Sequence, residues 1–254
     1  MAVVGGLSLS GVWPRLAQSA EQALLLNLDT LLAAPKEQVV PLFRSGEADV
    51  LLIHGGHHTF KLQADGYAAP LRVWAYNEHV FVGPEDDPAS LRQATDALDA
   101  MTRIQHSHHP FLAFRDPGSH EIVQRLWRKL GINADPGWVK PDTTHYPQQV
   151  LQRAAQLNAY VVVGHIPVAF GKLPLQQQRI LYAGDPDMRR PYVVLTPGKH
   201  HPATPERRMN AERLADYLVS GAGQAALKRA NQPAGHTWIY PARTNLTNAG
   251  ALPQ

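Results

Sequence analysis

Short apolar runs alternate with amphipathic stretches along almost the whole chain, and this alternation constrains the fold more than any other feature. Residues 48–53 (ADVLLI) and 159–163 (AYVVV) are apolar without a polar alternate, as in strands buried on both faces. Residues 2–9, 111–114 (FLAF), 179–182 and 191–196 (PYVVLT) also read as strands, and 71–82 (LRVWAYNEHVFV) is a long extended stretch closed by Gly83-Pro84. Between them, residues 12–26 place Leu16, Ala20, Ala23 and Leu24 at helical spacing. Helices are expected over 35–46, 88–104, 119–130, 146–157, 205–219 and 221–231, with short ones at 57–66 and 165–171. Strands alternating with helices predict an α/β fold with mostly parallel sheets.

At 254 residues the chain exceeds one ordinary domain, so two lobes are expected. It contains no low-complexity linker, so strands are expected to join the lobes, near 71–82 and 191–196. Lobe 1 is then the discontinuous pair 1–76 and 196–254, and lobe 2 is 77–195.

Composition removes several classes of function. The net charge of +3 is small and no stretch concentrates Lys and Arg, which argues against nucleic acid as a partner and fits an anionic ligand weakly. Without cysteine there is no disulfide, thiolate metal site or cysteine nucleophile. No apolar run reaches the ~18 residues of a membrane span, and MAVVGGLSLSG reads as a first strand rather than a secretory signal. G-x-S-x-G, phosphate-loop, dinucleotide and H-E-x-x-H patterns are all missing, so no catalytic residue and no cofactor are expected.

Ligands of open α/β sheets sit at the carboxyl ends of strands, where helix amides point into a crevice. Three turns carry suitable donors: Ser8, Ser10 and Gly11; Arg115-Asp-Pro-Gly118-Ser119-His120; and Thr143-Thr144. Ser8 and Ser10 also suit ordinary helix caps, and Arg115 an interlobe salt bridge. His120 and His165 fall at strand-to-helix turns, whereas His54, His57 and His58, and His106, His108 and His109, match no closed metal site. No metal ligand is assigned. Asp86-Asp87 precede an expected helix, where acidic residues favour the dipole.

Taken together, the motifs resemble those of the tungstate- and molybdate-binding proteins of ABC importers. SGEADVLLIH is similar to the family's G-D-A-D-V-L-L-V-H, and YNEHVFVGPEDDPAS to its V-G-P-x-x-D-P-A crossing segment. FLAFRDPGSHEIVQRLWRKLGI resembles its arginine turn and the helix ending L-W-x-x-x-G-I. LYAGDPDMRRPYVVLTPGKHH follows G-D-P…N-P-Y…V-x-P-x-K-H, and LVSGAGQAAL the closing helix. The resemblance spans about residues 8–241. It implies a two-lobed class II periplasmic-binding-protein-like fold, non-catalytic, holding a small anion in the interlobe cleft through hydroxyls, amides and one arginine. By motif that arginine is Arg115, followed by Gly118 and the hydroxyl of Ser119.

The departures fall at the ligand. The family's T-T-T-S-T run is VVGGL at residues 3–7, and its G-T-G-Q turn is Pro35-Lys36-Glu37-Gln38. The arginine turn is two residues shorter than R-x-D-D-S-G-T, and the A-Y-T-L-T segment holds Val161 and Val163 in place of threonines. Lys36 and His120 would be new polar groups in such a pocket. The resemblance thus implies a monomeric periplasmic solute-binding protein, without its signal peptide, that delivers a small anion to an ABC permease. Two alternatives use the same fold: a cytoplasmic ligand-sensing domain of a regulator, and a transition-metal binder using the histidines.

Overall fold

A computed structural model describes residues 1–242; the last part of the segment expected to complete lobe 1, residues 243–254, lies outside the described residues. The chain divides into two compact units, one formed by Met1–Tyr76 with the segment from Pro191 onward, the other by Asn77–Arg190. Unit one begins with β1 (Ala2–Val4), α1 (Gly5–Leu9), α2 (Val12–Leu24), β2 (Leu32–Ala34), α3 (Lys36–Ser45), β3 (Leu51–His54) and α4 (His57–Ala64). β4 (Arg72–Pro84) carries the chain into unit two. There follow α5 (Ala97–Ser107), β5 (Phe111–Ala113), α6 (Pro117–Leu130), β6 (Val139–Pro141), α7 (Val150–Gln156), β7 (Tyr160–Gly164), α8 (His165–Ala169) and β8 (Gln178–Tyr182). β9 (Arg189–Leu195) returns it to unit one, which ends with α9 (Pro205–Val219), α10 (Gly221–Asn231) and β10 (Tyr240–Pro241). The second crossing thus falls between Arg190 and Pro191, where the sequence reading put it between 195 and 196.

The sheets are mixed, not mostly parallel. In unit one β1 lies parallel to β2 and β3, while β9 runs antiparallel to β3 and β10 antiparallel to β4. In unit two β5 lies parallel to β6 and β7, while β4 runs antiparallel to β7 and β8. An apolar run reports which faces of a strand are buried; direction is set by the connections, which the run does not encode.

Side-chain alternation builds the core of unit two. Phe81 of β4, Phe111 of β5 and Val162 of β7 face one way and pack with α5 and α6, against Met101, Ile104, Leu126 and Trp127. Val80, Val82, Leu112, Val161 and Val163 face the other way, against Val150, Leu151 and Val168 of α7 and α8. The same alternation turns His79 toward the face of Phe81, and Glu78 toward that of Val80. Unit one buries Val12, Trp13, Leu16, Ala17 and Ala20 of α2, which packs on α9 and α10.

Two expected helices begin later than expected, each behind a 3-10 turn. Residues 88–104 form a 3-10 turn at Leu91–Gln93, and α5 begins only at Ala97. The Asp87 carboxylate accepts the Leu91 and Arg92 amides, each at 2.9 Å, and Asp96 caps α5 by accepting the Asp99 amide at 2.7 Å. Residues 146–157 likewise open with a 3-10 turn at Pro147–Gln149 before α7. β2 and β6, each three residues long, lie where no strand was expected.

Candidate functional site

In unit two, β5, β6 and β7 run in one direction, so the segments that follow them share one edge of the sheet. Those segments carry Arg115–His120, Thr143-Thr144 and His165. Because β4 is antiparallel to β7, with His79 opposite Gly164, Glu78 and His79 reach the same edge. In unit one, β1, β2 and β3 bring Ser8 and Ser10, Lys36, and His54–His58 to the carboxyl ends of their own parallel set.

The densest polar group in unit two surrounds the amino end of α6. Pro117 starts the helix and Asp116 caps it, its Oδ2 accepting the Gly118 amide at 2.9 Å and the Ser119 amide at 3.1 Å. The Gly118 amide, expected to face an anion, is therefore held by the chain's own carboxylate. Three side chains approach Gly118 closely. A methyl group on it would fall 2.8 Å from Arg190 Nη1, 2.9 Å from His79 Nε2 and 3.1 Å from Asp116 Oδ2. Ser119 is 1% exposed, and its Oγ has no hydrogen-bond partner among the described residues; the same holds for Nδ1 of buried His79. A buried polar atom left unsatisfied costs free energy, so native structures supply it with a protein or water partner.

His79 is neutral at ordinary pH. Burial pushes its pKa down to about 4; the Asp116 carboxylate pulls it up, the Arg190 and Arg125 guanidiniums push it further down, and Glu78 pulls it up. Glu78, on the opposite face of β4, pairs with His165 Nδ1 at 2.9 Å through Oε2 and accepts the Gly184 amide at 2.6 Å through Oε1. His165 is thus tied to a buried carboxylate at the start of α8.

Arg115 takes a different place from the one its motif implies. Its side chain is 67% exposed, and it donates from Nε to Asp142 Oδ2 at 3.5 Å and from Nη2 to the Thr144 carbonyl at 2.5 Å. Thr144 in turn gives its hydroxyl and its amide to Asp142 Oδ1, at 2.7 and 2.9 Å. Burial pushes the Asp142 carboxyl up, but the Thr144 and Arg115 donors outweigh it and hold the pKa below the ordinary value. Thr143 and Thr144 line a surface cavity of about 460 Å³ with His145, Gln149, Gln152, Arg153 and Gln156. His120 is exposed on α6.

In unit one, Ser10 acts as a cap: its hydroxyl donates to the Leu7 carbonyl at 3.0 Å and accepts the Val12 amide at 3.4 Å. Ser8 is partly exposed within α1, and Lys36 begins α3 beside Glu37 at 3.9 Å. His57, His58, His106 and His108 are exposed, and neither surface group of histidines forms a three-donor metal cluster among the described residues. Of the expected residues, the structure gathers Gly118 and Ser119 into one polar group and Arg115 with Thr144 into another. Sequence reasoning missed Asp116, His79 and Arg190. Asp116 was legible as an acidic residue one place before Pro117, a helix-start signal; His79 and Arg190 are far from the turn in sequence and carried none.

No family model matches the chain. It is 27% identical over 188 residues, 71% of this chain, to an ABC transporter anion-binding protein of Haloferax volcanii. It is 24% identical over 204 residues, 75% of this chain, to the tungstate-binding protein TupA of Peptoclostridium acidaminophilum. The alignments span only 54% and 66% of the length of those two relatives. The crystal structure of the tungstate ABC transporter from Geobacter sulfurreducens superposes with a TM-score of 0.69 at 23% identity, covering 90% of this chain and 97% of that one. Among the described residues no helix is long and apolar enough to cross a membrane. The fold is α/β with mixed sheets, that of the periplasmic-type substrate-binding proteins of ABC transporters.

Proposed function

We propose that this chain is a non-catalytic solute-binding protein of an ABC importer, and that it binds a small oxoanion of the tungstate or molybdate kind. The observation that carries the reading is the amino end of α6, where a buried hydroxyl without a partner, Ser119 Oγ, lies in the turn beside a guanidinium. The names of the two curated relatives, one anion-binding and one tungstate-binding, support it. On this reading the protein works as a monomer in the periplasm and hands its anion to a permease. Arg115 and Thr144, being already engaged with Asp142, act as a brace for the loop rather than as ligands. Calorimetric titration of tag-free protein with tungstate, molybdate and sulfate tests the reading. A saturable one-to-one heat with at least one of them is expected, and no heat with any of the three refutes it.

A further inference from the structure

The amino end of a helix attracts an anion because its first amides have no acceptor within the helix. At α6 that seat is already taken, since Asp116 Oδ2 accepts the Gly118 amide at 2.9 Å and the Ser119 amide at 3.1 Å. We infer that Asp116 is a specificity-determining residue of this turn, a resident carboxylate that holds down affinity for doubly charged oxoanions and shifts the site toward singly charged ones. The inference rests on the oxoanion reading above and deepens it.

Asp116 shares the turn with the groups that would meet a ligand. Ser119 Oγ, in a residue 1% exposed, and Nδ1 of His79, 3% exposed, are buried polar atoms without a hydrogen-bond partner among the described residues. On the oxoanion reading the ligand meets them. A methyl group on Gly118 would fall 3.1 Å from Asp116 Oδ2, 2.9 Å from His79 Nε2 and 2.8 Å from Arg190 Nη1, so carboxylate, imidazole and guanidinium crowd one point. The Asp116 charge is felt there. Burial pushes the His79 pKa down to about 4, and Asp116 is the strongest pull in the other direction.

The guanidiniums of the turn leave no surplus of positive charge for a ligand. Arg190 has Asp116 beside it, and its Nε lies 3.5 Å from Glu121 Oε2. Arg125, which also acts on His79, donates from Nη2 to the Asp187 and Arg189 carbonyls at 2.5 and 3.1 Å. The carboxylates of Asp116 and Glu121 thus answer the guanidiniums of Arg190 and Arg125, and His79 is neutral. An anion that enters adds to the negative side of a balanced group. The Coulomb energy is proportional to the charge brought in, so Asp116 opposes a dianion twice as strongly as a monoanion of the same shape.

The test titrates tungstate, a tetrahedral dianion, and perrhenate, a tetrahedral monoanion of similar size, into the parent protein, Asp116→Asn and Glu121→Gln by calorimetry, with a melting curve for each protein. Asparagine caps a helix about as well as aspartate, so Asp116→Asn removes the charge and keeps the acceptor. It is expected to tighten tungstate by about 10- to 100-fold and perrhenate by about 3- to 10-fold, the square root that follows from half the charge. Glu121→Gln removes a half-exposed carboxylate screened by solvent and is expected to stay within about 3-fold for both anions. Tungstate bound by Asp116→Asn no tighter than by the parent overturns the inference while leaving the oxoanion reading standing. An equal gain for the two anions, or an equal gain in Glu121→Gln, does the same. Should Asp116→Asn fail to fold, Asp116→Ser, another uncharged cap, carries the comparison. If neither the parent nor the Asp116 variant binds an oxoanion, the proposed function falls, and this inference with it.

Discussion

His79 makes the acid stability of this protein depend on one buried imidazole, and His79→Gln isolates it. The folded pKa is about 4 against 6.5 for a free histidine, a difference of 2.5 pH units, dominated by burial and modulated by Asp116, Arg190, Arg125 and Glu78. At ~1.4 kcal/mol per unit this amounts to about 3 kcal/mol. Below the unfolded pKa of 6.5 the unfolded imidazole takes up a proton while the folded one stays neutral. The unfolded state then binds more protons, so stability is fully present above 6.5 and drains away as pH falls toward about 4. Urea midpoints for the parent and for His79→Gln, measured near pH 7 and near pH 4, convert to unfolding free energies through their slopes. The carboxylates titrate in both proteins, so the difference between the two falls reports His79 together with its coupling to Asp116 and Glu78. The parent is expected to lose about 3 kcal/mol more than the variant across that interval. Equal losses would refute a neutral, buried His79, and a larger loss in the variant would reverse the sign of the argument.

Two further outcomes follow from the core of unit two. Asp87→Ala removes the acceptor of the Leu91 and Arg92 amides and of the Tyr160 hydroxyl, at 2.9, 2.9 and 3.2 Å, and is expected to cost about 2–3 kcal/mol in urea unfolding. Phe111→Ala empties a fully buried position whose ring lies 6.0 Å from that of Trp127 and 6.3 Å from that of Trp138; a loss of about 3–5 kcal/mol, with a changed tryptophan emission spectrum, is expected.

The α/β class and most elements of this protein were legible in its sequence because local rules govern them. AYVVV is buried on both faces and forms β7, and SHEIVQRLWRKL holds its apolar residues at helical spacing and forms α6. The helix over 88–104 failed because Asp87, read as a dipole partner for one helix, instead closes a separate 3-10 turn through its own carboxylate. β2 and β6 were too short to show a period, and strand direction is a property of pairing that no single run contains.

For the site, the sequence by itself determined that a turn with an arginine, small residues and a hydroxyl stands before a helix at the end of a strand. Tertiary structure alone decided which groups share that turn. Arg115 is drawn to Asp142, a buried carboxylate 27 residues away, while Arg190 and His79, on β9 and β4, are brought against Gly118. The physical reason is that a charged or polar group settles by desolvation and by the partners in reach. Those partners are brought together by strand pairing across the chain, so spacing along it carries no record of them.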